Sequence, residues 1–244
     1  MDKQLTREES KSFGANLLWR NPYIEEIREL SRSGNLDFNK KVIGTFQLLK
    51  QKFSWNGEYK LYSENLDKVL KTGTGSNADL NFIFIGMLKS FGIKAYPVVM
   101  SRRSVGMLPV SFPSLQKLNT FVVAIYDEVR GKYVYLDGSM NVSALNVLPV
   151  ELSVTKARIL SADIPENKKW VNLQEIPTNQ IFMKISANAQ GNQITGRRTT
   201  ILKGYDALEY RKEYQTKDSL VNKQELVKEK LAISNLKRTE MEDD

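Results

Sequence analysis

Residues 75–92 read Gly75-Ser76-Asn77-Ala78-Asp79-Leu80-Asn81-Phe82-Ile83-Phe84-Ile85-Gly86-Met87-Leu88-Lys89-Ser90-Phe91-Gly92, and the fold turns on this stretch. From Leu80 to Leu88 apolar residues occupy nearly every side of a helix, so the segment has no face to offer water and belongs at the centre of a core. Gly92 ends the run. Gly86 in its interior costs about 1 kcal/mol relative to alanine, which predicts that another backbone passes close by.

Upstream, Phe38, Val42, Ile43, Phe46, Leu49 and Phe53 recur at three- and four-residue steps after Asp37, predicting an amphipathic helix that ends near Trp55-Asn56-Gly57. Ser63 is placed to cap a short helix through Leu66, Val69 and Leu70, which Gly73 closes in a left-handed conformation. Residues 1–20 are polar and poorly patterned, an arm or short helix packed through Phe13, Leu17, Leu18 and Trp19.

Downstream the period becomes that of strands at 95–100, 120–126 and 132–136, and the last two are joined closely enough for an antiparallel hairpin. Between the first two lies a loop, residues 101–118, with Gly106, Pro109 and Pro113; long loops in compact domains are often functional. Residues 157–161 add a strand. Composition shifts near Pro165-Glu166-Asn167-Lys168-Lys169-Trp170, so a boundary is expected after 168. Residues 1–168 then form an α+β core with an N-terminal helical arm. Residues 169–244 form a β-rich segment with strands at 181–187 and 193–202 around Gln190-Gly191-Asn192, helical spacing from Gly204 and a charged tail, Glu240-Met241-Glu242-Asp243-Asp244.

The chain has 244 residues, 41% hydrophobic and 26% charged, an ordinary globular composition. No apolar run reaches the eighteen or so residues that span a bilayer, and the first fourteen lack the apolar stretch of a secretory signal. Net charge is +8, and residues 181–238 hold twelve Lys and Arg against six Asp and Glu. These cations are dispersed and no aromatic-basic motif interleaves them, so they read as a solvated basic face and no nucleic-acid partner is expected.

Two absences restrict the chemistry further: the sequence contains no cysteine and no histidine. Cysteine nucleophiles, disulfides, Ser-His-Asp and Cys-His arrangements and the common zinc sites are thereby excluded. Carboxylate pairs, carboxylate-only metal sites and Ser-Lys or lysine chemistry remain. No cofactor or metal is implied.

The order of elements resembles the transglutaminase-like, papain-like core of bacterial envelope proteins. The buried helix begins at a Gly-x-x-x-Asp turn; Lys94-Ala95-Tyr96-Pro97-Val98-Val99-Met100-Ser101 is similar to the family's following strand, and Tyr135-Leu136-Asp137-Gly138-Ser139 to the strand end that carries its acid. The resemblance runs from about Asp37 into the β-rich C-terminal segment and implies helices packed on a small antiparallel sheet. It places the catalytic cysteine at Asn77 and the histidine at Thr120, with Asn119 the alternative register; of the triad only Asp137 keeps its type. A helix N-terminus and an imidazolium make a thiolate available near neutral pH. An amide is no such nucleophile and a hydroxyl no such base.

Structural readings stand beside these. Asn77 suits a helix cap, Asp79 the positive end of the helix dipole, and Asp137 before Gly138 a turn. Ser114-Leu115-Gln116-Lys117 and Ser153-Val154-Thr155-Lys156 have Ser-x-x-Lys spacing, which a chain this rich in Ser and Lys produces by chance. Asp79 with Asp137 could form an acid-base couple of the glycosidase kind, whereas Asp127 and Glu128 are expected to be solvated. Trp55, Tyr59, Tyr62 and Tyr96 lie near elements that border the cleft of the resembled fold, as core or as a binding wall.

The resemblance therefore implies a pseudoenzyme: a binding or scaffolding module for a peptide, protein or glycan. Its degenerate triad would be Asn77, Thr120 and Asp137, with Trp55, Asp79 and Asn119 at the groove. The alternative is a hydrolase using carboxylate or Ser-Lys groups in the same cleft. Family members are longer, with a leader and an extra N-terminal domain, so the chain is expected to be part of a multidomain periplasmic or cell-envelope parent.

Overall fold

The computed structural model describes residues 2–7, 12–32, 36–109, 114–141, 145–176, 179–190 and 193–215. The chain divides into two compact units, residues 1–178 and 179–244. The division falls ten residues beyond the expected boundary because Trp170–Val171 is a strand of the first unit's sheet.

The first unit is α+β. Helices α1 (Asp2–Leu5), α2 (Phe13–Leu17), α3 (Ile24–Arg32), α4 (Phe38–Lys52) and α5 (Leu66–Thr72) precede the central α6 (Asn77–Ser90). Strands β1 (Ser54–Trp55) and β2 (Thr74–Gly75) form a small parallel pair. The main sheet contains β3 (Ala95–Met100), β4 (Thr120–Asp127), β5 (Lys132–Leu136), β6 (Ala157–Ile159) and β7 (Trp170–Val171), ordered β5-β4-β3-β6-β7 with every pairing antiparallel.

Local chemistry explains the limits of these helices. Asp37 caps α4 by accepting from Lys40 N at 2.8 Å, and Gly73, at φ 69°, closes α5. The cap of α5 is Asn65 rather than Ser63, whose hydroxyl instead donates to Asp79. The third helix, α3, was not expected from the sequence; it packs against α4 and α6.

Helix α6 is apolar all round because it is covered on both sides: α2, α3 and α4 lie against one, β3 and β4 against the other. Phe82 and Phe121 meet with ring centroids 4.7 Å apart, and Phe13 closes edge-on at about 5 Å from each. The neighbour at Gly86 is Trp19, whose indole comes closest and whose backbone carbonyl oxygen also lies 3.6 Å from where a Cβ would stand. A Cβ on Gly86 would stand 2.9 Å from Trp19 Cε3, so the ring lies on bare helix. The opposite side of the sheet has its own core, with Val98, Met100, Val122, Ala124, Leu148, Leu152 and Leu173.

The loop at 101–118 contains short 3-10 turns at Arg103–Val105 and Leu115–Lys117; its residues 110–113, including Pro113, lie outside the described residues. Asp127 is buried rather than solvated, because the β4–β5 turn uses its carboxylate to accept from Val129 N, Arg130 N and the Arg130 guanidinium.

The second unit contains β8 (Gln180–Gln190) and β9 (Gln193–Lys203), an antiparallel pair, followed by α7 (Tyr205–Gln215). Gly191 and Asn192 of its turn, and the acidic tail, lie outside the described residues. No described helix is long and apolar enough to cross a membrane.

Candidate functional site

At the N-terminus of α6 the backbone demands acceptors for its free N–H groups, and Ser76 and Asp79 supply them. Ser76 Oγ accepts from Asp79 N, and Asp79 Oδ2 accepts from Ser76 N at 2.8 Å. The cap is therefore Ser76, and Asn77, expected as a cap, is the first helical residue with its side chain released for other bonds.

Those bonds reach the sheet. Asn77 Nδ2 donates to Thr120 Oγ1 at 2.5 Å, and its Oδ1 accepts from Lys60 N at 2.6 Å. One turn later, Asn81 Nδ2 donates to Phe121 O at 2.7 Å and to Asp137 Oδ1 at 3.1 Å, while its Oδ1 accepts from Gly138 N at 2.6 Å. Ser139 contributes two more donors to Asp137, its N at 3.2 Å and its Oγ at 2.5 Å. Asn77 Nδ2 also donates weakly to Phe121 O, at 3.4 Å, so residues 77, 120 and 137 are joined through that carbonyl in one network with Asn81 at its hub. Gly138 is required there, since a Cβ would lie 2.9 Å from Asn81 Oδ1.

The network is closed to solvent: Asn77, Asn81, Thr120 and Asp137 are each 0% exposed. Residues 58–60 form the cover, for Asn77 N donates to Glu58 O at 3.1 Å while Lys60 N donates back to the Asn77 side chain. The position expected for a nucleophile is held from both sides by hydrogen bonds.

A second charged group reaches this cluster from α4. Lys50 Nζ is shielded from water, has no hydrogen-bond partner and lies 5.6 Å from the Phe46 ring centroid. Burial lowers its pKa to about 8, opposed by the negative charge of Asp137. Burial raises the pKa of Asp137, opposed by the hydrogen bonds from Ser139 and Asn81 and by the Lys50 charge. Burial, and then the Asp137 charge, raises the Tyr59 phenol also, with Arg102 acting the other way.

Of the residues expected at the groove, Asp79 faces elsewhere. It stands two positions before Asn81, about 200° around the helix, and its carboxylate is engaged by Ser63 and Ser76. Asp79 and Asp137 therefore have separate partners. Asn119 Oδ1 accepts from Arg102 N at 3.1 Å at the start of the loop. Trp55, partly exposed, packs on Tyr59 with centroids 5.0 Å apart, and the Arg102 guanidinium lies 5.0 Å from the Tyr59 centroid. These form a wall beside the closed cluster. Tyr62 contacts Phe13, and Tyr96 contacts Tyr133 beneath the sheet.

Neither Ser-x-x-Lys match is assembled. Ser114 Oγ accepts from Gln116 N, and Gln174 Nε2 donates to the Ser153 carbonyl. Among the described residues, no cluster of three or more acids could hold a metal ion. Sequence reasoning missed Asn81, Ser139 and Lys50. Asn81 had a legible signal: it follows Asn77 by four residues on an otherwise apolar helix, which puts both amides on one face.

No family model and no curated protein matches the chain. A solved structure of a candidate protease from Parabacteroides distasonis ATCC 8503 is similar at 13% identity and a TM-score of 0.46, over 84% of this chain. The similar region spans 55% of that protein's length.

Proposed function

We propose that the chain is a transglutaminase-like, papain-like module of a bacterial envelope protein that performs no cysteine chemistry and serves as a binding or scaffolding element. One observation carries the reading. Asn77, Thr120 and Asp137, from three separate segments, meet in one buried cluster in a chain with neither thiol nor imidazole. The aspartate that would orient an imidazole instead accepts from Asn81 and Ser139, and the amide at position 77 ties helix to strand.

Because the cluster is sealed, a ligand would dock beside it, on the wall of Trp55, Tyr59 and Arg102 with Asn119 at the edge. Flat aromatic faces and a guanidinium suit a peptide or a glycan. The same burial counts against a hydrolase built on Asp137 and Lys50, since the amine has no access to solvent.

Assays of amide hydrolysis and amine incorporation, with casein and a fluorescent primary amine, are expected to show no rate above buffer. A clear rate abolished by Asn77→Ala would overturn the proposal. Titration of a glycan or peptide array against wild type and Tyr59→Ala tests the binding wall separately.

A further inference from the structure

Asn56 is the one asparagine in the sequence followed by glycine, and the pair stands at the exposed start of the segment that covers Asn77. Asn56 N donates to Gly75 O at 2.9 Å, and two residues later Glu58 O accepts from Asn77 N at 3.1 Å and from Trp55 Nε1 at 3.0 Å. Between these anchors Gly57 is unencumbered. Its φ of 88° lies in the left-handed region that glycine adopts without steric cost, and nothing stands within 4 Å of where a Cβ would be. Its N–H makes no hydrogen bond among the described residues.

The Asn56 side chain is set for attack by that nitrogen. Glu58 N donates to Asn56 Oδ1 at 2.9 Å, so a donor already sits on the oxygen that would gain negative charge as Gly57 N bonded to Cγ. Glu58 Oε2 accepts weakly from Asn56 Nδ2 at 3.4 Å, beside the group that would leave. Residue 57 has no side chain to hinder the ring closure.

We infer that Asn56-Gly57 is a site of spontaneous deamidation, and that the reaction loosens the cover over Asn77. Gly57 N gives up its proton and bonds to Asn56 Cγ. The Cγ–Nδ2 bond breaks and the nitrogen takes up a proton and leaves as ammonia, closing a cyclic imide. Water, the only co-reactant, then opens the ring, at Cγ to give aspartate or at the main-chain carbonyl to give isoaspartate. Both products put a second carboxylate beside Glu58. Isoaspartate also lengthens the main chain by one carbon between the attachments to Gly75 and to Asn77, which displaces Glu58 O and Lys60 N from their bonds to Asn77.

The test ages the full chain at mildly alkaline pH in heavy-oxygen water and maps it by peptide mass spectrometry, with protein isoaspartate methyltransferase marking the isoaspartate form. The internal reference is Asn172, whose Oδ1 likewise accepts from the N–H two residues on, but which precedes leucine. Conversion at Asn56 is expected at least tenfold faster than at Asn172, with heavy oxygen incorporated at residue 56, and is expected to vanish in Asn56→Gln. The Asn77 side-chain NH2 is expected to exchange with solvent at least tenfold faster in the aged protein than in the fresh one. Freshly prepared Asn56→Asp, which has the charge without the longer main chain, is expected to keep Asn77 protected. Conversion at Asn56 no faster than at Asn172 overturns the inference. So does a converted protein in which Asn77 exchanges as slowly as before, or a fresh Asn56→Asp that has already lost the protection.

Discussion

Replacing Asn81 by leucine, which preserves volume, removes the hub of the buried network. The side chain serves three buried groups: the Phe121 carbonyl, the Asp137 carboxylate and the Gly138 N–H. Each buried polar group left without a partner costs about 1–3 kcal/mol, and more where it is charged. These costs are not additive, since Phe121 O keeps a weak bond from Asn77 Nδ2 at 3.4 Å and Asp137 keeps both donors from Ser139. The expected loss is about 3–5 kcal/mol, a large share of the stability of a domain this size. Urea unfolding followed by tryptophan fluorescence measures it, with an unchanged slope against denaturant as the sign that only stability has moved. A loss under about 1 kcal/mol would refute the network, because it would mean that water already satisfies these groups.

Other perturbations follow from the same geometry. Lys50→Met is expected to stabilise the fold by about 1–3 kcal/mol at pH 7, since a displacement from 10.5 to about 8 corresponds to roughly 3 kcal/mol of unfavourable burial. Between pH 8 and 10.5 the unfolded chain holds the proton that the native amine has released, so wild-type stability rises with pH there and the advantage of Lys50→Met shrinks. Denaturant titrations at pH 7 and pH 10 check this; an advantage independent of pH would remove the burial argument. Gly86→Val is expected to destabilise by about 1–3 kcal/mol and to shift tryptophan emission, because the new side chain would meet the Trp19 ring; a neutral result would contradict that contact. Asp2 is partly buried, which by itself would raise its pKa, but the hydrogen bonds and charges of Arg158 and Lys169 outweigh burial and lower it. Its contribution is present above pH 3.8 and is lost as pH falls through the native value, so Asp2→Asn should unfold more readily at neutral pH but lose less on acidification.

Much of this architecture could be read from periodicity. The all-round apolarity of residues 80–88 placed α6 at the centre of the core, and the alternation at 120–126 and 132–136 predicted the β4–β5 hairpin. What could not be read were side-chain partners distant in sequence. Ser63 suits a helix cap by its type, yet its hydroxyl is claimed by Asp79, sixteen residues away, and the neighbouring Asn65 caps α5. Gly86 announced a close neighbour without saying that it was an indole. Lys50 carried no signal, because no local pattern marks an amine buried within reach of the charge of Asp137, the residue after β5. The boundary expected after residue 168 missed β7, a strand of only two residues, too short to show any alternation.

The site followed the same division. The resemblance singled out positions 77, 120 and 137, whereas the closure over them depends on hydrogen bonds of the 58–60 backbone that carry no sequence signature.

The sealed cluster is tested most directly by hydrogen exchange at the side-chain amides of Asn77 and Asn81, resolved by NMR on selectively labelled asparagine. The account predicts that both NH2 groups exchange orders of magnitude more slowly than that of exposed Asn56, with Asn77 coupled across its bond to Thr120 Oγ1. Exchange at the rate of a free amide would show the buried cluster open to water and would contradict it.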